Sequence, residues 1–127
     1  MPTMKNYISK SLTLLIISFA FFSCSKENIN INNNNQFSSG YFVTNEGNFG
    51  SGNGSLSYVD ENNQVTNNVF SSINSFPLGD VVQSMSIIND NAYIVVNGSA
   101  KIEVATIDSL QYVTTINGFS GPRNILQ

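Results

Sequence analysis

The sequence predicts an all-β fold made of β-propeller blades, and three observations carry that expectation. Short runs rich in β-branched and aromatic residues recur along the second two-thirds of the chain. Clusters of Asn, Asp and Gly separate them, as tight turns require. One group of strands then repeats about 50 residues further on. No segment after residue 23 sustains helical periodicity.

Taken in order, Tyr41-Phe-Val-Thr44 reads as a first strand, followed by the glycine-rich loop Asn45-Glu-Gly-Asn-Phe-Gly-Ser-Gly-Asn-Gly54. Leu56-Ser-Tyr-Val59 is the second strand, stopped by Asp60-Glu-Asn-Asn63. Val65 to Phe70 reads as a weaker strand, and Ser71 to Asp80, with Pro77 and Gly79, as a loop. Met85-Ser-Ile-Ile88 and Tyr93-Ile-Val-Val96 flank Asn89-Asp-Asn91, whose residues tolerate left-handed geometry and predict a hairpin. In Lys101 to Ile107, Ile102 and Val104 share one face while Lys101 and Glu103 share the other. Gln111 to Ile116 completes the set.

The repeat appears when Tyr41-Phe-Val-Thr-Asn45 is laid on Tyr93-Ile-Val-Val-Asn97, at an offset of 52. Tyr58-Val-Asp60 then falls on Thr106-Ile-Asp108 at 48, which makes the first connecting loop four residues the longer. Ser84-Met-Ser-Ile87 falls on Pro122-Arg-Asn-Ile125 at 38. Four short strands in a period of roughly 40–50 residues mark a propeller blade. A β-sandwich is the rival fold, since strand spacing alone suits it equally. On the propeller expectation, residues 39–127 hold about two blades, the N-terminal part of a longer domain.

The N-terminus carries a different signal. Lys5 and Lys10 precede the apolar stretch Leu12–Phe22, eleven residues long, and Ser23-Cys24 follows. Spanning a bilayer takes about 20 apolar residues, so the stretch fits a secretory h-region instead. Cys24, the one cysteine of the chain, then stands at the cleavage point and becomes the expected lipid attachment site. Residues 1–23 are thus a lipoprotein signal peptide. Residues 24–38, with the run Asn28-Ile-Asn-Ile-Asn-Asn-Asn-Asn35, form a lipidated flexible tether.

Composition narrows the chemistry. After residue 23 only Lys26, Lys101 and Arg123 stand against eight acids, which argues against nucleic acid as a partner. Histidine is absent, so Ser-His-Asp and Cys-His catalysis are excluded within this chain. With Cys24 committed to lipid, the usual zinc ligands are missing too, and neither a metal nor a cofactor is expected.

Gly40-Tyr-Phe-Val-Thr-Asn-Glu-Gly-Asn-Phe-Gly50, Ser55-Leu-Ser-Tyr-Val-Asp60, Pro77-Leu-Gly-Asp80, Gln83-Ser-Met85 and Ala92-Tyr-Ile-Val-Val-Asn97 resemble the opening of the YncE-like surface lipoproteins. The resemblance covers about Gly40 to Gln127. It implies a seven-bladed propeller related to the cobalamin-binding surface lipoproteins that partner TonB-dependent transporters. The signal segment likewise resembles the relaxed lipoboxes of Bacteroidota-type lipoproteins. Together these imply a protein lipid-anchored in the outer membrane, exposed on the cell surface and non-enzymatic. It would pass a ligand such as a corrinoid to a transporter. The alternatives are a propeller lactonase or quinoprotein-like enzyme, a protein-interaction scaffold, or a fragment without function.

The loop Asn45–Gly54 is the candidate ligand site. Its glycines bring backbone close to a ligand, Asn45, Glu46 and Asn48 offer hydrogen bonds, and Phe49 offers a stacking surface. Asp60 and Asp108, equivalent in the repeat, are expected to cap turns, as is Asp80. Asp108-Ser-Leu110 fits the short O-glycosylation pattern of such exported proteins and marks Ser109 for modification.

Overall fold

The computed structural model describes residues 36–126. The signal peptide, Cys24 and the tether up to residue 35 lie outside the described residues. What is described is all-β with one short helix, in the order β1 (Gly40–Asn45), β2 (Ser55–Asp60), β3 (Val65–Thr66), α1 (Val69–Asn74), β4 (Val82–Ile88), β5 (Asn91–Val96), β6 (Lys101–Thr106) and β7 (Tyr112–Asn117). Sheet one runs β1-β2-β3 and sheet two β4-β5-β6-β7, with every neighbouring pair antiparallel. Each is a meander in which sequence neighbours pair, as in successive propeller blades.

The two sheets share one core. Leu56 and Tyr58 of β2 pack in one cluster with Ala92, Ile94 and Val96 of β5 and Ala105 of β6. Phe42 of β1 and Met85 of β4 border it. Phe37 also enters this core, stacking edge-on to Tyr58 at 4.9 Å and packing on Phe42. Folded structure therefore begins before residue 39, inside the stretch expected to be tether, because an aromatic ring gains about 2 kcal/mol by burial.

The strand expected over Val65–Phe70 is shorter than its β-branched composition implied. Only Val65 and Thr66 pair, with Val59 and Tyr58. Asn68 takes a left-handed conformation (φ 56°) that ends the extended run. Val69 and Phe70 then turn into α1 and are both buried. The expectation of no helix fails at this point. A single six-residue turn is too short to display periodicity, and burial of Val69 and Phe70 pulls it into shape. Asn74 fastens α1 to sheet two: its Nδ2 donates to the carbonyls of Phe70 and Leu110, and its Oδ1 accepts from the Tyr112 amide.

The internal repeat is real, but its register differs from the one expected. The β1–β2 ladder runs from Gly40↔Asp60 to Asn45↔Ser55, and the β5–β6 ladder from Asn91↔Thr106 to Val96↔Lys101. Laid rung on rung, Gly40 falls on Asn91 and Asp60 on Thr106, offsets of 51 and 46 rather than 52 and 48. The connecting loops make the turn chemistry agree. The Asp60 amide donates to the Gln64 carbonyl while Asp60 Oδ1 accepts from the Gln64 amide. Thr106 repeats both bonds with Gln111. Thr106, not Asp108, is thus the counterpart of Asp60. Asp108 sits further into its turn, where the Ser109 hydroxyl and then that of Thr106 hold its carboxyl below the usual carboxylate value.

Correct register exposes a matched pair of buried polar groups. Ser57 falls on Glu103, and these are the buried polar residues of the described chain. Ser57 Oγ accepts from Asn45 Nδ2 (2.9 Å) and donates to Asn67 Oδ1 (2.9 Å). Glu103 accepts from Thr115 Oγ1 (2.7 Å) and pairs with Lys101 at 2.6 Å. The alternation along β6 is as expected, with the charged face turned toward sheet one. Full pairing makes that burial tolerable.

Candidate functional site

One end of both sheets gathers the β1–β2 loop, the start of β4 and the β5–β6 turn. Asn45, Val82 and Val96 mark the strand ends there. The glycine-rich loop is built rather than slack. The Asn48 amide donates to Asn53 Oδ1 (2.8 Å), and the Ser51 amide to the Asn48 carbonyl (3.0 Å). At its base the Gly54 amide donates to the Gly79 carbonyl (2.9 Å), a bridge that ties the loop to the segment leading into β4. Gly79 is required there: its φ is +128°, and a side chain would run into Ser99 Oγ.

Asp80 is the node of this rim. Both its carboxylate oxygens accept from the Gly50 amide, at 3.0 and 2.9 Å. Its own amide donates to Ser99 Oγ in the β5–β6 turn (2.9 Å). A turn residue in the expected sense, Asp80 proves to join three chain segments. Sequence gave little warning of this, because its partner Gly50 lies 30 residues away.

The expected site residues separate into two kinds. Asn45 is half-buried and spends its amide on Ser55 Oγ (3.2 Å) and Ser57 Oγ, so it holds the loop's root. Glu46 is exposed and accepts from Gln83 Nε2 at 3.3 Å. Asn48 is exposed beside it, and Phe49 stands 87% exposed at the loop tip. Glu46, Asn48 and Phe49, with Gln83 on β4, therefore present a carboxylate, two amides and an aromatic ring on one pinned edge. Gln83 was missed as a site residue; its place beside the loop comes from the fold alone. A cavity of about 170 Å³ lies at the loop's base, lined by Asn53, Gly54 and Leu56 with Phe70, Pro77 and Leu78. Among the described residues no cluster of three or more His, Cys, Asp or Glu side chains could hold a metal ion.

Ser109, the expected modification site, is half-buried in the β6–β7 turn. Its hydroxyl donates to Asp108 Oδ1 and lies 2.9 Å from Thr106 Oγ1.

Fold and rim together define a class: an all-β domain of repeated antiparallel meanders, with an ordered glycine loop at one end. Residues 39–123 match the family described as Domain of unknown function (DUF5074), and the chain belongs to that family. No curated protein shows a significant match to the chain.

Proposed function

We propose that this protein is a non-enzymatic, lipid-anchored surface lipoprotein with a YncE-like propeller, which binds a small nutrient at the glycine-loop rim and presents it to a TonB-dependent outer-membrane transporter. The observation that carries the reading is the rim itself. Glu46, Asn48, Phe49 and Gln83 project from backbone pinned at Asn48, Gly50 and Gly54. Preorganised groups lose little entropy on binding, which is how a shallow polar edge reaches useful affinity. The resemblance to the cobalamin-binding surface lipoproteins makes a corrinoid the first ligand to test. Its amide-bearing periphery suits Glu46 and the Asn and Gln amides, and its flat face suits Phe49. Lipidation at Cys24 would hold the rim at the outer-membrane surface, with more than one acyl chain needed for firm anchoring.

The test is calorimetric titration of the full chain with cyanocobalamin, beside Glu46→Ala and Phe49→Ala variants. Saturable binding weakened at least fivefold by each variant supports the reading, and no heat of binding sinks its corrinoid form. Labelled fatty acid incorporated by the parent and lost in Cys24→Ala tests the anchor separately.

A further inference from the structure

The cavity at the base of the glycine loop has a chemistry of its own. All its walls come from residues 53–78: the end of the loop, the start of β2, α1 and the segment leading into β4. Leu56, Phe70 and Leu78 supply apolar wall, and all three belong to the core shared with sheet two. Each is no more than 1% exposed, so tightly packed side chains set the shape of the cavity. Asn53, Ser55, Asn68 and Ser71 also line it, and each has bonding capacity to spare. Asn53 Oδ1 accepts from the Asn48 amide, which leaves its Nδ2 to donate. Ser55 Oγ accepts from Asn45 Nδ2 and keeps its proton. Ser71 Oγ donates to the Asn68 carbonyl and can still accept, while the Asn68 side chain makes no capping bond to α1. None of the described residues lining the cavity is charged.

We propose that this cavity binds a neutral molecule of one aromatic ring with a single polar substituent, its ring against Leu56, Phe70 and Leu78 and its substituent among the four polar side chains. Size, charge and polarity each favour this occupant. An apolar cavity of about 150 Å³ takes a benzene-sized guest, and this one holds about 170 Å³. An ion would lose its hydration here without meeting an opposite charge. A sugar would set hydroxyls against the three apolar walls, where they find no partner. A ring with one polar end leaves nothing unpaired. The site is separate from Glu46, Asn48, Phe49 and Gln83, and it stands whether or not those residues bind a corrinoid.

NMR titration of the full chain with benzamide, followed at the backbone amides, tests the proposal. Saturable shifts should centre on Ser55, Leu56, Phe70 and Ser71, with a dissociation constant of about a millimolar or tighter for so small a ligand. Benzoate, the same shape with a charge, should bind at least tenfold more weakly, and so should glucose. Ser71→Phe, which fills the cavity, should abolish the shifts. Asn68→Gly keeps the left-handed turn at that position and removes only the carboxamide, so it should weaken binding at least fivefold with circular dichroism unchanged. An absence of saturable shifts up to about 10 mM benzamide overturns the proposal, since a preformed site of this size binds more tightly than that. Equal binding by the parent and both variants, shifts centred on Glu46 to Gly50 instead, or benzoate matching benzamide overturn it as well.

Discussion

Sheet one and sheet two are built on the same ladder, yet they solve its polar position in opposite ways. In sheet one the site holds Ser57, satisfied by two neutral amide side chains. In sheet two it holds Glu103, satisfied by a hydroxyl and an ammonium. The link to the next strand is equivalent in both, Asn67 standing where Thr115 stands. What the scaffold demands is a completed set of hydrogen bonds rather than a particular residue. The sheets also differ where they turn. Sheet two closes β5 to β6 through Asn97-Gly-Ser-Ala100, whereas sheet one spends the whole glycine loop on the same step. The largest difference in connection length between the sheets lies at the rim.

The contrast predicts unequal costs. Glu103→Ala leaves the Thr115 hydroxyl and the largely buried Lys101 without their partner, and should destabilise the fold by about 3 kcal/mol in urea unfolding. A loss under 1 kcal/mol would mean that water replaces the carboxylate. Gly79→Ala attacks the junction between the two kinds of turn. Strain at its positive φ, added to the collision with Ser99, should cost about 2 kcal/mol and shift the Gly50 and Ser99 amide resonances. Ser57→Ala, the neutral counterpart of the first change, should cost about 1 kcal/mol by the same unfolding measurement. Equal losses at Ser57 and Glu103 would erase the distinction between the sheets.

The smallest effect concerns the turn where Asp108 lies. Its pKa is lowered from 3.8 on folding, so the stability it contributes is present above that value and is lost as pH falls through the folded one. Ser109→Ala should raise the Asp108 pKa toward 3.8 in an NMR titration, and an unmoved curve would assign the shift elsewhere.

Much of this architecture was legible beforehand, and the failures share a cause. Strand positions were readable because β-branched and aromatic runs sit between turn clusters, as at Met85–Ile88 and Tyr93–Val96. The register of the repeat was not. Matching Tyr41, Val43 and Asn45 to Tyr93, Val95 and Asn97 gives more identities than the true alignment. Yet a slip of one residue moves every side chain to the opposite face. The polar positions held the better clue: Ser55 and Ser57 align with Lys101 and Glu103 only at the observed offset. At the rim, Glu46, Asn48 and Phe49 were readable as exposed loop residues. The roles of Asp80 and Gln83 depend on contacts across 30 and 37 residues, which local pattern cannot carry.

The Asp80 carboxylate also sets an order of events. Closing Asn97 to Ala100 needs only a local turn, so the β5–β6 hairpin should form before contacts of longer range. The bond from Gly50 to Asp80 must wait for a much longer closure and for Ser99 to receive the Asp80 amide. Pulsed hydrogen exchange should find the β6 amides protected before that of Gly50. The segment that presents Phe49 should thus set after the β5–β6 hairpin, moulded on a turn that is already in place.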